Sequence, residues 1–217
     1  KYEYCDLLIT GSGPSGLASA YAAAKNGARV ILAEDKPRFG GSLLSSDVNI
    51  GNQTGIEWTQ KIITELKSMS NVIVKNRSQV FGYYDHNMLV MSERISDHLP
   101  KTQKYLPKQR LWYIRANEVL ISSGSIERPL VFGNNDTPGV MLSSAAKEYM
   151  RVYGVLVGKK PLIFTNNDSG YETAIEFKKN GINSLILDTR KNPSSDIINE
   201  AKNLNIKIKF SHVVVVA

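Results

Sequence analysis

Gly11-Ser12-Gly13-Pro14-Ser15-Gly16 lies between an apolar run over residues 4–10 and an alanine-rich, helix-favouring stretch over residues 14–26. The spacing Gly-x-Gly-x-x-Gly in a strand–turn–helix context assigns each glycine a task. Gly11 permits the tight turn, Gly13 lets a pyrophosphate approach backbone with no Cβ in the way, and Gly16 lets helix and strand pack closely. Phosphate oxygens then face the unpaired N–H groups at the positive end of the helix. Residues 28–34, Ala-Arg-Val-Ile-Leu-Ala-Glu, read as a second strand, apolar enough to be buried on both faces of a parallel sheet. It ends at Glu34, eighteen residues beyond Gly16, where a carboxylate accepts hydrogen bonds from ribose hydroxyls.

Glu34 favours NAD or FAD over NADP, because a carboxylate repels a 2′-phosphate. Lys36 and Arg38 weaken that preference, since either cation would suit a phosphate. The alternative to a working site is a glycine turn left over in a structural domain.

Beyond this βαβ unit, residues 54–69 carry an amphipathic helical pattern in which Ile56, Ile62, Ile63 and Leu66 share a face. Strands are expected at 72–74, 79–84 and 88–93, with Asp85-His86-Asn87 turning between the last two. Residues 96–109 are polar and aperiodic, a loop, and strands follow at 111–115 and 119–122. Asn134-Asn135-Asp136-Thr137-Pro138-Gly139 is turn material that marks a domain crossing. A helix at 143–153 leads to a second run of alternating elements: strand 162–165, helix 169–180, strand 182–188, helix 194–204, and strands 206–210 and 213–216. The expected fold is α/β, a Rossmann-like FAD/NAD(P)-binding domain over 1–137 with a β-rich insertion. A crossover over 138–157 and a second, partial Rossmann-like domain over 158–217 complete it. The first residue is not Met and the last fall within an apparent strand, so a fragment of a longer polypeptide is expected.

The second unit is not a copy of the first. Thr165, Asn167 and Gly170 occupy the positions of the three glycines, and only the helix-packing glycine survives. A side chain at Asn167 obstructs the backbone approach that a pyrophosphate needs. Asn166, Asn167 and Asp168 suit a cap for the helix that begins near Ser169.

One cysteine, Cys5, excludes an internal disulfide and a redox pair; it reads as a small buried thiol and is compatible with a reducing, cytoplasmic setting. Three scattered histidines and that cysteine lack metal-ligand spacing, so no metal is expected. The net charge of +7 comes from dispersed lysines and arginines without a nucleic-acid signature, and no apolar run is long enough to span a bilayer. His86, His98 and His212 fall in a turn, a polar loop and beside a strand, and spacing brings no acid–base pair together. No catalytic residue is assigned. Redox chemistry would belong to a cofactor, with protein groups positioning it.

Further strings carry a resemblance. Glu34-Asp35-Lys36-Pro37-Arg38-Phe39-Gly40-Gly41-Ser42-Leu43-Leu44 continues the turn as in the glutathione-reductase-like flavoproteins, where a Gly-Gly pair follows the ribose acid. Residues 119–129, with Ser122-Ser123-Gly124, resemble the second signature of that superfamily, usually Ala-Thr-Gly. Residues 80–87, 135–142 and 164–171 together resemble the α-subunit family of heterotetrameric sarcosine oxidases. The resemblance implies a cofactor site formed by Gly11, Ser12, Gly13, Pro14, Ser15, Gly16, Glu34, Asp35, Arg38, Gly40, Gly41, Ser42, Val80, Ser123 and Gly124. It implies NAD held there, with FAD as the alternative, and oxidative demethylation of sarcosine by a complex whose FAD and FMN are carried mainly by a partner β subunit. The competing reading is a self-sufficient NAD(P)H-dependent flavin reductase with FAD in the first fold. A scaffold with an empty fold is a third.

Overall fold

A computed structural model describes residues 1–101 and 105–217. The chain forms two compact units, Lys1–Ser125 and Ile126–Ala217. The α/β architecture expected from the sequence is present in both.

The first unit opens with β1 (Tyr2–Thr10), α1 (Pro14–Lys25) and β2 (Val30–Ala33). A 3-10 turn at Gly41–Ser45 and a short hairpin of β3 (Asn49–Ile50) and β4 (Gln53–Thr54) come next. The unit continues through α2 (Gly55–Ser68), β5 (Val72–Lys75), β6 (Ser78–Tyr84), β7 (Met88–Arg94) and β8 (Gln109–Ile121). Six strands make one sheet in the order β5-β2-β1-β8-β7-β6. The first four are parallel, and β7 and β6 extend the sheet antiparallel from β8. All four residues of β2 are buried, as a central parallel strand requires. Helix α1 presents Gly16, Leu17, Ala20 and Ala24 inward, and the small Gly16, Ala20 and Ala24 let it lie close to the sheet. Leu8, Ile9, Leu17, Leu32 and Leu66 are fully buried. Burying each such side chain contributes about 1.5–3 kcal/mol.

Helix α2 begins with a reciprocal cap: Glu57 N–H donates to Thr54 Oγ1 and Thr54 N–H donates to Glu57 Oε2. Ile62, Ile63 and Leu66 form its buried face. Ile56 does not join them and is exposed, because it lies in the first turn, where the helix has only just left the hairpin. The strands expected at 111–115 and 119–122 are one continuous strand, β8. Its second half is held in register by β1, with Cys5 opposite Ala116 and Leu7 opposite Glu118, so the polar Asn117-Glu118 stretch does not break it. Asn117 is itself fastened there by Tyr4 Oη and by Asn87. Of the expected loop at 96–109, residues 102–104 lie outside the described residues, and Gln109 already belongs to β8.

The second unit contains α3 (Ser143–Tyr153), β9 (Leu162–Thr165), α4 (Ser169–Lys179), β10 (Leu185–Asp188), α5 (Asp196–Asn203) and β11 (Lys207–Phe210). Its three strands form a parallel sheet in the order β11-β10-β9 around Tyr171, Ala174, Phe177, Ile186 and Ile198. The stretch 138–157, expected as a crossover, contains a helix fastened to this unit. Ser143 Oγ donates to Thr173 Oγ1 at 2.7 Å, and Lys147 and Arg151 pair with Glu172 and Glu176 of α4. The compact units divide at Ser125/Ile126, twelve residues before the boundary at 137 expected from the turn-rich segment. Residues 213–216 do not form a strand: Val216 makes one parallel bridge to Gly133, and nothing continues the pairing.

Candidate functional site

The glycine turn meets the geometric demands read from its spacing. Gly11 has φ +98°, and a Cβ placed there would stand 2.3 Å from the carbonyl oxygen of Ser122. A Cβ at Gly16 would stand 2.0 Å from the carbonyl oxygen of Gly11, so the helix can approach the turn only with glycine at this position. Gly13 differs from both. A Cβ there would meet nothing within 4 Å and would project into open space beside the N-terminus of α1. Pro14 opens the helix, where a missing N–H costs nothing, and Pro14 and Ser15 are exposed.

Glu34, directly after β2, is buried with its carboxylate turned toward the turn. Ser12 donates to Glu34 Oε2 twice, from its backbone N–H at 2.8 Å and from its hydroxyl at 2.5 Å. Lys36 N–H donates to the other oxygen, Oε1, at 2.9 Å. Burial, and next the neighbouring Asp35 side chain, push the Glu34 carboxyl above its ordinary range, against the opposing pull of the Ser12 and Lys36 donors. The backbone of Glu34 is also pinned, by Lys75 O on one side and Ser78 N–H on the other. The fully buried Ser12 in addition takes Gly40 N–H, on its carbonyl at 3.0 Å and on its hydroxyl at 3.3 Å.

Four of the expected segments therefore converge: the 11–16 turn, Glu34, Gly40-Gly41, and Ser122-Ser123. A Cβ on Gly41 would come 2.9 Å from Gly13 Cα, and Ser123 Cα lies 3.2 Å from the Cβ position of Gly11. Asp35, Arg38, Ser42 and Gly124 are exposed around this convergence. Val80 is instead half-buried against the core at a register shift in β6, with Ser78 as the link from that strand to Glu34. The backbone donors of Lys36 and Gly40 and the carbonyl of Ser122 were not legible as site groups, because any residue type supplies them.

In the second unit the corresponding turn is filled by its own side chains. Thr165 Oγ1 donates to Asn167 O and accepts from Asn167 N–H, closing the turn on itself. Asn167 Oδ1 accepts from both the N–H and the hydroxyl of Ser169, the first residue of α4, while Asp168 at the N-cap makes no side-chain cap bond. A Cβ on Gly170 would stand 2.8 Å from Thr165 Cβ. Asp188, eighteen residues beyond Gly170 as Glu34 is beyond Gly16, is fully buried and held by Tyr171 Oη at 2.7 Å and by Arg190.

Of the histidines, His86 has φ 58° in the 85–87 turn, His98 is 3.6 Å from Asp97, and the His212 ring nitrogen Nδ1 lies 2.7 Å from Phe210 O. Among the described residues, no group of three or more His, Cys, Asp or Glu side chains is arranged to hold a metal ion, and no helix is long and apolar enough to cross a membrane.

Comparison with known proteins agrees with this geometry. Residues 6–95 match the FAD dependent oxidoreductase family. The chain is 42% identical to the sarcosine oxidase subunit alpha of Rhizobium meliloti (strain 1021), over 93% of this chain and 21% of that protein. It is 35% identical to the sarcosine oxidase subunit alpha of Corynebacterium sp. (strain P-1), over 99% of this chain and 22% of that protein. It thus spans about a fifth of the length of these relatives, and the resemblance drawn from its motifs holds over that span. The fold also matches the crystal structure of T. acidophilum thioredoxin reductase with a TM-score of 0.69 at 16% identity, over 98% of this chain and 66% of that one.

Proposed function

We propose that the first unit holds the ADP moiety of a dinucleotide, NAD in preference to FAD, as the nucleotide-binding part of the α subunit of an amine-oxidising flavoenzyme complex, with sarcosine the first candidate substrate. The observation that carries the reading is the open space at Gly13, flanked by glycines whose Cβ atoms would clash and faced by a fixed, buried carboxylate. Gly13 and the first turn of α1 would receive the pyrophosphate, and Glu34 would accept from the adenosine ribose. The Glu34 carboxylate disfavours a 2′-phosphate. The family match over residues 6–95 keeps FAD as the second candidate.

The nucleotide is proposed to be held without turning over. Among the described residues the carboxylates at the 11–16 turn are Glu34, which accepts from Ser12 and Lys36, and the exposed Asp35 beside it, and no histidine or cysteine pairs with either. Chemistry would reside in flavins, FAD and FMN, carried mainly by a β subunit. The competing reading, a self-sufficient flavin reductase, requires a nicotinamide in the second unit, and there Thr165 and Asn167 close the turn. Denaturing the purified protein and identifying the released nucleotide by mass spectrometry tests the proposal. One NAD per chain is the expected result. Release of FAD alone moves the assignment to FAD, and release of neither overturns it.

A further inference from the structure

We propose that Ser12 is a positioning residue for ribose recognition: its hydroxyl, with its own N–H and that of Lys36, sets Glu34 as a fixed, acceptor-only carboxylate for the vicinal diol of the adenosine ribose. The inference rests on the dinucleotide reading above and deepens it.

A serine hydroxyl has one hydrogen to give. Gly40 N–H approaches Ser12 Oγ at 3.3 Å and can only donate, so the oxygen accepts there and its single hydrogen goes to Glu34 Oε2. The polarity of the chain Gly40 N–H → Ser12 O–H → Glu34 is thereby fixed. The Ser12 backbone N–H meets the same oxygen, and Lys36 N–H meets the other. Three donors on two oxygens define the plane of the carboxylate and favour its ionised form, partly offsetting the burial and the adjacent Asp35 side chain that together raise its proton affinity. Lone pairs not engaged by these donors remain for the two ribose hydroxyls, which are donors. Gly40 N–H is held mainly by the Ser12 backbone carbonyl at 3.0 Å, with the hydroxyl at 3.3 Å as a second acceptor, so the Gly40-Gly41 segment stays tied to the phosphate turn when the side chain is removed. Ser12 is fully buried, so its effect on binding passes through the groups it holds, Glu34 for the ribose and Gly40 for the turn, and the dideoxy analogue separates the two.

A positioning role and a merely structural one separate in the choice of probe. Binding of NAD and of an analogue whose adenosine ribose lacks both hydroxyls is measured by titration calorimetry on the full chain, with circular dichroism as the folding check. Ser12→Ala is expected to weaken NAD about tenfold, the scale of one hydrogen bond to a charged group, and the dideoxy analogue less than about twofold. Ser12→Cys, which keeps the shape of the side chain with a larger atom and donates weakly, is expected to follow Ser12→Ala. In a Glu34→Gln background Ser12→Ala should add nothing. Equal losses for both nucleotides, Ser12→Cys behaving as wild type, or a full additional loss in the Glu34→Gln background would each overturn the proposal. A wild-type chain that binds neither NAD nor FAD overturns the dinucleotide reading itself. A wild-type chain that binds both nucleotides with undiminished affinity in Ser12→Ala overturns only the role of Ser12.

Discussion

The guanidinium of Arg190 lies along the carboxylate of Asp188, with Nε 3.0 Å from Oδ1 and Nη2 2.8 Å from Oδ2, while its Nη1 reaches Asp168 at 2.8 Å. In the first unit the residue at the end of the second strand, Glu34, accepts from uncharged donors of Ser12 and Lys36 and lies beside the Asp35 side chain. In the second, a cation of the chain itself stands against the acid. The same scaffold therefore has one turn whose middle glycine borders open space and one closed by its own side chains.

Removing Arg190 should expose how much the second unit depends on this pair. Asp188 is fully buried, so Arg190→Ala leaves its carboxylate with Tyr171 and backbone alone, at a cost of about 3 kcal/mol. The pH dependence should also change sign. Burial acts to raise the Asp188 carboxyl, but hydrogen bonds from Arg190 and Tyr171 outweigh it and hold the group below its ordinary value. A depressed carboxyl contributes stability that is present above the unfolded value of about 3.9 and is lost as pH falls below it. In Arg190→Ala burial dominates, the carboxyl rises, and stability falls as pH increases through the new value. Denaturant melts from pH 3 to 7 on both proteins are the measurement; parallel curves would contradict the account.

The sequence disclosed the first unit more fully than the second. The geometry at Gly11, Gly16 and Glu34 was legible because it depends on residue type: only glycine fits at 11 and 16, and the carboxylate at 34 takes the N–H groups of Ser12 and Lys36. Strand continuity was less legible. Asn117-Glu118 looks like a break, and only pairing with β1 and the hydrogen bonds to Tyr4 and Asn87 make β8 unbroken. Val213 to Val216 shows the opposite error, since strong β propensity forms no ladder without a neighbour in register. The Asp188–Arg190 pair was missed although the eighteen-residue interval pointed at Asp188, because two residues of spacing do not reveal that the arginine folds back.

Cys5 should be inert in the native chain. It is fully buried, and burial above all, followed by the charge of Asp6, pushes its thiol up to about 12. At pH 8 only about one molecule in ten thousand would carry the reactive thiolate even if reagent could reach it. Labelling with an aromatic disulfide reagent is expected to proceed only as the protein unfolds, with one equivalent appearing in denaturant. Rapid native-state labelling would contradict the placement of Cys5 in the core.

Thr54→Ala should destabilise α2 by about 1 kcal/mol, the usual loss for an N-cap side chain. Both halves of the reciprocal cap depend on Thr54 Oγ1 and Glu57, and Ala removes the acceptor for Glu57 N–H. Glu57→Gln should cost less, since an amide oxygen still accepts from Thr54 N–H. Equilibrium unfolding in urea orders the two variants, and a Glu57→Gln loss exceeding that of Thr54→Ala would refute the assigned geometry.

Gly13 and Gly16 should respond oppositely to the same substitution. At Gly16 the added methyl meets Gly11 O at 2.0 Å and Ser122 Cβ at 3.3 Å, so helix α1 must shift from the turn and its buried Leu17 and Ala20 lose contact with the sheet. Gly16→Ala is expected to cost more than about 3 kcal/mol, at or beyond the upper end for overpacking, because the obstructing atom is backbone. At Gly13 the methyl meets nothing of the protein, and φ is −67°, a conformation open to any residue. Gly13→Ala should therefore melt within about 0.5 kcal/mol of wild type, as a surface change does. Its nucleotide binding should nonetheless fall at least about a hundredfold, because the methyl occupies the space proposed for the pyrophosphate. Stability and binding thus separate at Gly13 and fall together at Gly16. A Gly13→Ala chain that binds dinucleotide as wild type does would place the phosphates elsewhere, whatever the glycine spacing.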